Sequence, residues 1–393
     1  MTMHMPTAAV SAVTERTAEH VGRGHPDKAT DQMADALLDN VLEIARKVAG
    51  DDENSLDHPR YQRTAIEALT KDNLVMLSGE MKLGPKVAAA FDPEAVIREV
   101  WRNVGYAGSE TMTVINHLRR QSADITRGVD LTGASEGAGD QGIMVGYATN
   151  ETPTMMPLEW DMAQRLAMAI DELQRNRTLP WLGSDIKTQV TLSAADEVIK
   201  VIIAAQHAEE VSTEEVRRAL MEQAVMPLMG DIDPDQVVIN GTGRFVTGGP
   251  IGDAGVVGRK IVVDAYGPGV PVGGGAYSGK DPTKVDRSAA YMARHVAKAV
   301  VAHRVSDANA CMVRIAYGIG QTQPAMVTAM TDNGQDLGAW VRRHFDLSPR
   351  GIINSLDLLR MSEGGRGWAY QDAAAFGHYG RAMFPWERIA DVV

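Results

Sequence analysis

The chain has 393 residues, enough for two or three domains that each bury a core. Its 51 acidic residues outnumber its 39 basic ones, and the net charge of −12 argues against nucleic acid or a membrane surface as a partner. No stretch resembles a transmembrane span, and residues 1–17 lack the apolar core of a signal peptide, so we expect a cytoplasmic protein.

The first third of the chain predicts a helix, a hairpin and a second helix. Apolar residues recur on one face of the first helix, at Met33, Leu37, Val41, Ile44 and Val48. The hairpin consists of two strand-like runs joined by a tight turn at residues 71–72. The four elements are expected at about 27–48, 62–70, 73–82 and 93–104.

The same order of elements returns twice. The second repeat has a helix near 158–176, strands at 186–193 and 197–206, and a helix that runs from a capping box at Ser212 to about 229. The third has a helix at 282–304, strands at 310–319 and 325–332, and a helix at 337–345. The single cysteine, Cys311, lies in an alternating strand and is expected to be a small buried side chain.

Repeats that begin near residues 26, 158 and 282 predict three similar α+β domains, each an antiparallel sheet with helices on one face. The other face of each sheet then needs a cover, so we expect a homo-oligomer. The expected domains are 13–121, 131–247 and 248–390, and we interpret the polar connector 122–130 as a mobile loop over a site.

A glycine-rich loop precedes the helix of the third repeat. Residues 274–280 fit the first seven positions of a phosphate-binding loop, but Asp281 stands where such a loop needs Ser or Thr. Asp281 instead resembles a helix N-cap, followed by a proline at the first helical position. The loop offers Lys280 and Lys284 to an anion and Asp286 to a metal; the alternative is an ordinary tight turn before a helix.

The start of the first helix offers a second set of polar groups. His25, Asp27 and Lys28 lie at its N-terminus, where anions are favoured. Asp27 belongs to the turn itself. Asp31 and Asp35 follow at intervals of four residues, and for them we favour a solvated acidic face over a functional role.

Two carboxylates of the first hairpin share strand faces with apolar residues. Strand parity places Glu67 beside Ala65 and Leu69, and Glu80 on the side of Leu74 and Met76. A carboxylate on an apolar face is unfavourable unless it is paired or liganded. The alternative for both is a wet edge of the sheet.

These features together resemble the S-adenosylmethionine synthetases (methionine adenosyltransferases) over nearly the whole chain. The most specific segments are GAGDQG at 137–142 and GGGAYSGKD at 273–281. The others, in family order, are GHPDK at 24–28, GYATNET at 146–152, TGRF at 242–245, KVDRSAAY at 284–291, and 377–381 with 384–387. The resemblance implies three α+β domains about a pseudo-threefold axis, with a chain that interleaves between them.

The family reaction explains the residue types. The sulfur of methionine attacks C5′ of ATP and expels tripolyphosphate, which is hydrolysed to phosphate and pyrophosphate before release. A thioether needs no deprotonation, so no general base has to activate it. Catalysis requires alignment and the stabilisation of about four negative charges on the leaving group, which is a task for cations and metal ions.

The resemblance also implies roles for particular residues. The catalytic residues, which handle the phosphates, would be His25, Lys187, Arg259, Lys260 and Lys280. The nucleotide pocket would add Asp185, Arg244, Asp253, Ala276 and Phe245, the last stacking on adenine. Methionine would be bound by Glu80, Gln121, Asp140, Asp253 and Lys284.

Metal ions and a second subunit are implied as well. Asp27 and Asp286 would hold two Mg²⁺ ions, Glu67 would bind K⁺, and Gln121–Val129 would be the gating loop. The active site would lie between two subunits, within a dimer of dimers. ATP and L-methionine would be the small-molecule substrates.

The sequence departs from the family pattern near the site without losing a charged group assigned above. Arg23 follows Gly22 where bacterial members usually carry Ser-Glu, Val272 replaces a His, Tyr277 replaces a Phe, and Gly241 replaces a Pro. Two rival functions use the same residues. A magnesium-dependent phosphotransferase would release ADP and leaves Glu80 and Asp140 without a role; a non-catalytic regulatory subunit would lack charged site residues.

Overall fold

The computed structural model describes residues 15–121, 137–360 and 367–392. The strands in these ranges are β1 Glu15–Val21, β2 Arg63–Lys71, β3 Leu74–Lys82, β4 Thr113–Arg120, β5 Gly142–Thr149, β6 Leu182–Ser193, β7 Val198–His207, β8 Val237–Ile239, β9 Gly255–Val256, β10 Ala310–Tyr317 and β11 Met326–Thr331. The α-helices are α1 Pro26–Ala49, α2 Pro85–Ala90, α3 Pro93–Val104, α4 Leu158–Arg175, α5 Thr213–Leu220, α6 Met226–Met229, α7 Gly249–Gly252, α8 Ile261–Asp264, α9 Val285–Ala302, α10 Gly338–His344, α11 Pro349–Ser355 and α12 Tyr370–Phe376.

The strands form three sheets, each backed by a long helix. Their orders are β4-β3-β2-β9, β1-β6-β7-β8 and β11-β10-β5. Helix α1 packs on β2, α4 on β1 and β6, and α9 on β5 and β10. The predicted fold class, three α+β domains with antiparallel-rich sheets, is confirmed. The sheets are not purely antiparallel, since the β3–β4 and β7–β8 pairs are parallel.

The first core follows from the apolar spacing of α1. Met33, Leu37 and Val41 are buried in it, and Ile44 and Val48 pack at its margin, as predicted. Alternate residues of the hairpin strands pack against this face of α1. The residues between them point to the other face of the sheet, which is more exposed. The ladder pairs Glu67 with Ser78 and Ala65 with Glu80, so both carboxylates lie on the open face.

Three strands pair outside the sequence repeat that contains them. Strand β1 joins the second sheet through β6, β9 joins the first through β2, and β5 joins the third through β10. The chain therefore interleaves between the three sheets. The exact domain boundaries stay predictions, and the connector predicted to be a loop at 122–130 lies outside the described residues.

Two helix predictions need comment. The helix after Ser212 is capped as predicted, by the Ser212 hydroxyl accepting from Glu215 N, and contains one π turn at Met221–Val225. The prediction that Asp281 caps the next helix is wrong. The Asp281 carboxylate accepts from the amide and hydroxyl of Thr283 and from Lys284, which closes a turn, and α9 begins only at Val285.

The preferred interpretation of the acidic positions on α1 is also wrong. Asp31 and Asp35 are fully buried and ion-paired, with Lys28 and Arg287 respectively. Spacing on α1 places them on the side where the loops after β9 and before α9 pass. Arg287 comes from a distant part of the chain, and the loops that bury Asp31 beside the nearby Lys28 do so too, so periodicity could not reveal either environment.

Each sheet leaves apolar residues exposed on the protomer. They are Leu69, Met76 and Ile115 in the first sheet, Ile202 in the second, and Ile143 and Met326 in the third. Cys311 is buried and free, as predicted, and burial raises the pKa of its thiol to about 12. Among the described residues, no helix combines the length and apolarity that crossing a membrane requires.

Candidate active site

The N-terminus of α1 gathers the first group of predicted site residues. His25 is the N-cap, and its Nδ1 accepts the amide of Asp27 at 3.2 Å. The Asp27 carboxylate in turn accepts the amide of Val256 at 2.9 Å and the ammonium of Lys260 at 2.6 Å. The guanidinium of Arg259 lies 3.8 Å from the same carboxylate. The turn after β9 thus brings two cations to the helix start.

Charge at this helix start favours anionic Asp27 and neutral His25. Burial alone would raise the pKa of Asp27, but the ammonium of Lys260 and the amide of Val256 bring it below its usual value. Burial, with Lys260 and Lys187 nearby, lowers the pKa of His25 to about 3. Because Nδ1 accepts a hydrogen bond, the proton of the neutral ring resides on Nε2. His25 can therefore donate a hydrogen bond without carrying charge.

Asp185 supplies a buried acceptor next to this group. One carboxylate oxygen accepts the amide of Gly249 at 2.8 Å, and within the described part of the chain the other has no hydrogen-bond partner. Burial raises the pKa of Asp185 to about 6, opposed by Lys187 and reinforced by Asp253. A buried unpaired acceptor is unfavourable unless a ligand donates to it.

The glycine-rich loop forms the second group. The ammonium of Lys280 bonds to Asp286 at 2.6 Å, across the start of α9. A cavity of about 780 Å³ opens beside this pair. Its lining includes Glu67, Gln141, Ala276, Lys280, Asp286 and Arg314. The loop therefore borders a space large enough for a nucleotide-sized ligand.

Glu67 faces this cavity from the open side of the first sheet. The residue is exposed, but partial loss of hydration raises the pKa of its carboxyl, opposed by the nearby Lys280. The half-buried Glu80 lies on the same face. In the protomer this face of the sheet is exposed to solvent, which is the alternative given above for both carboxylates. The roles of Glu67 and Glu80 in binding stay predictions.

The other predicted residues form hydrogen bonds or ion pairs of their own. Arg244 is exposed and paired with Glu209, and the amide of Phe245 donates to His207. Lys284 is buried and donates to Asp281 at 2.5 Å. The carboxylates of Asp253 and Asp140 each accept the backbone amide of the following residue. The buried Gln121 donates its backbone amide to the carbonyl of Met81.

Two polar residues at the site were not predicted from the sequence. Arg314 on β10 lines the cavity, and strand alternation with the buried Val313 and Ile315 could have placed it on the outer face. Tyr106 donates its hydroxyl to the carbonyl of Gly24, just before the helix start. It is the residue after the glycine that ends α3, and no signal in the sequence marks it.

Three sequence models of one family match consecutive parts of the chain. The N-terminal domain of S-adenosylmethionine synthetase matches residues 14–123, the central domain residues 135–245, and the C-terminal domain residues 247–388. The chain belongs to the S-adenosylmethionine synthetase family. Membership implies a transferase that takes part in S-adenosylmethionine synthesis, with ATP and methionine as substrates. Both residue groups described above lie within the matched ranges.

Members of this family use metal ions, and two aspartates of the site could act as ligands. Within the described ranges, no three His, Cys, Asp or Glu side chains cluster as a ready metal site. Asp27 and Asp286 each offer one carboxylate, and each is paired with a lysine at 2.6 Å. Mg²⁺ is commonly held by one or two carboxylates together with substrate phosphates and water. The residues fit a metal that arrives with the nucleotide.

Proposed function

We propose that this protein makes S-adenosyl-L-methionine from ATP and L-methionine, as a methionine adenosyltransferase. The methionine sulfur would attack C5′ of ATP, and the expelled tripolyphosphate would be hydrolysed to phosphate and pyrophosphate. The observation that carries this proposal is the pair of lysine–aspartate contacts, Lys260–Asp27 and Lys280–Asp286, at two loops of a chain that belongs to the family.

The cations would stabilise the leaving group. The carbon–oxygen bond at C5′ breaks as the carbon–sulfur bond forms, and the electron pair goes to the triphosphate. Lys187, Arg259, Lys260 and Lys280 place positive charge where this anion develops, which lowers the barrier because the donors need no reorganisation. His25, neutral with its proton on Nε2, adds a hydrogen bond to a phosphate oxygen and leaves the local charge unchanged.

The acidic residues would hold metal ions and the nucleotide. Asp27 and Asp286 are the proposed ligands of two Mg²⁺ ions, and Glu67 of K⁺; bound cations would neutralise phosphate charge. Each lysine now bonded to Asp27 or Asp286 would be released toward the polyphosphate. The unpaired oxygen of Asp185 would accept a hydrogen bond from a hydroxyl or amino group of the nucleotide.

A second copy of the chain would complete the site. Arg244 and Phe245, proposed to hold and stack the adenine, bond to Glu209 and His207, and methionine has its own set of proposed ligands. These ligands are Glu80, Gln121, Asp140, Asp253 and Lys284. The exposed apolar faces of the three sheets support a cover by another subunit. We therefore propose an active site between two subunits, within a dimer of dimers, and a cytoplasmic enzyme.

Product analysis tests the proposal directly. The protein is incubated with ATP, methionine, Mg²⁺ and K⁺, and the sulfonium, phosphate, pyrophosphate, ADP and AMP are quantified by mass spectrometry and phosphate assay. We expect one phosphate and one pyrophosphate for each sulfonium. ADP accumulation without sulfonium would instead indicate a phosphotransferase. Binding of ATP with no turnover would indicate a regulatory subunit.

A further inference from the structure

Helix α1 carries four aspartates that each bind the backbone of a distant segment. They are Asp27, Asp31, Asp35 and Asp39, spaced by four residues, so each step advances about 6 Å along the helix. Their carboxylates accept amides of Val256, Gly258, Gly279, and Tyr370 with Gln371, respectively. One rigid helix therefore fixes three chain segments in order.

Asp31 binds the segment that precedes the first pair of site cations. Its Oδ1 accepts the amide of Gly258 at 2.9 Å, and its Oδ2 accepts the ammonium of Lys28 at 3.0 Å. Lys28 also bonds to Asp264, so it keeps a buried partner if Asp31 is neutralised. Gly258 has a positive φ of 76° and is followed directly by Arg259 and Lys260.

Asp35 makes the equivalent contact to the glycine-rich loop. Its Oδ1 accepts the amide of Gly279 at 2.9 Å, and Arg287 bonds to both carboxylate oxygens at 2.5 and 2.7 Å. Gly279 has a φ of 82° and directly precedes Lys280. At both sites an aspartate of α1 thus holds a left-handed glycine immediately before the proposed catalytic cations.

We propose that Asp31 and Asp35 are positioning residues that set the location of Arg259, Lys260 and Lys280 through the amides of Gly258 and Gly279. Both carboxylates are fully buried, so neither touches a substrate. A misplacement of about 1 Å at a distance from the chemistry can lower a rate about 100-fold. This inference rests on the proposed function.

Two substitutions at Asp31 isolate the contact to Gly258. Asp31→Asn and Asp31→Leu introduce side chains of similar size, and both remove the charge. In both variants Lys28 keeps its ion pair with Asp264. They differ because only asparagine retains an oxygen that can accept the Gly258 amide. We expect kcat, measured with saturating substrates and metal ions, to be about 10- to 100-fold lower for Asp31→Leu than for Asp31→Asn, while KM for methionine changes little.

Asp39 provides the matched control. Its carboxylate accepts two backbone amides and bonds to Arg360 at 2.5 Å, but the segment it holds carries no proposed site residue. Asp39→Leu should lower the unfolding temperature, and its kcat should stay within about threefold of wild type because distant sites act independently. A loss of kcat equal to that of Asp31→Leu would overturn the proposal.

Hydrogen exchange gives a readout that is independent of activity. Exchange in the peptide that contains Gly258 should be faster in Asp31→Leu than in Asp31→Asn, at a temperature where both are folded. If Asp31→Leu does not fold, Asp31→Glu decides. It keeps the charge opposite Lys28 but moves the carboxylate by one methylene, and we expect at least about a tenfold loss of kcat from the displaced loop. A folded variant with wild-type kcat would overturn the proposal.

The wild-type protein separates the two ideas. If it forms no sulfonium under the conditions above, the proposed function fails, whatever the variants do. If wild type is active and folded Asp31→Leu matches Asp31→Asn in both kcat and exchange, only the positioning role fails.

Discussion

Lys260 and Lys298 both bond to a carboxylate, but water reaches only one of the pairs readily. The side chain of Lys260 is 20 % exposed, like that of Lys280 at 19 %, and each pairs with a single aspartate. Lys298 shares Glu387 with the fully buried Arg294. A pair at the edge of a cavity can exchange its partners for phosphate and metal. A buried pair cannot separate without leaving a bare charge in the core, which is strongly unfavourable.

The largest expected effect is on the buried pair. Glu387→Gln leaves Arg294 and Lys298 facing a neutral amide, so the free energy of unfolding should fall by about 3–5 kcal/mol. Urea titration measures it. The control is Glu43→Gln, which breaks the exposed pair with Lys47 and should change stability by no more than about 1 kcal/mol. Equal losses in the two variants would remove the distinction between buried and accessible pairs.

The accessible pair should respond in rate and not in stability. Lys280→Met is expected to lower kcat by about 100- to 1000-fold, the scale of one lost transition-state donor, while the protein stays folded. Steady-state kinetics and thermal unfolding check both parts. Lys47→Met, which removes an exposed lysine far from the cavity, is the control. A Lys280 variant that keeps most of its turnover would reduce the glycine-rich loop to a structural turn.

Asp185 extends the comparison to a buried site carboxylate that has no cation bonded to it. The pKa of Asp185 is about 6 in the folded protein and about 3.9 when unfolded, so its ionisation destabilises the fold increasingly as pH rises through this window. Asp185→Asn removes this destabilising ionisation and keeps an oxygen that can accept the amide of Gly249. Its stability relative to wild type should therefore rise between about pH 4 and pH 6, by at most about 3 kcal/mol, while activity falls.

Unfolding at several pH values tests this sign. Asp332 provides the opposite case, because the amides of Ala310 and Asn309 lower the pKa of its carboxyl. Ionisation of Asp332 therefore stabilises the wild-type fold as pH rises. Asp332→Asn should become less stable relative to wild type as pH rises through the acid range. A relative stability of Asp185→Asn that stays flat with pH would contradict a destabilising charge at this position.

The smallest effect is expected at Glu67, on the open sheet face. Glu67→Gln should fold with a stability within about 0.5 kcal/mol of wild type, as exposed substitutions usually do. Wild-type activity should rise when K⁺ replaces Na⁺ at fixed ionic strength, and the variant should lose that response. A variant with the full K⁺ response would show that Glu67 is not the ligand.

The sequence by itself determined the local elements and the chemical types at the site. Helical spacing placed Met33, Leu37 and Val41 in the first core, and Ser212 marked a helix start, because both signals depend on neighbours along the chain. The segments that resemble the family indicated membership of it from the sequence alone. The repeat order predicted three α+β domains for the same reason.

Only the tertiary structure decided which distant groups meet. The spacing of Asp31 and Asp35 suggested a solvated face. Their partners Gly258, Gly279 and Arg287 come from segments more than 200 residues away. So does Asp264, which shares Lys28 with Asp31. The pairing of β1, β5 and β9 with other repeats' sheets was likewise invisible to local periodicity. The free energy of an ionised side chain depends strongly on its burial. Burial is a property of the fold, so the residue type alone does not give it.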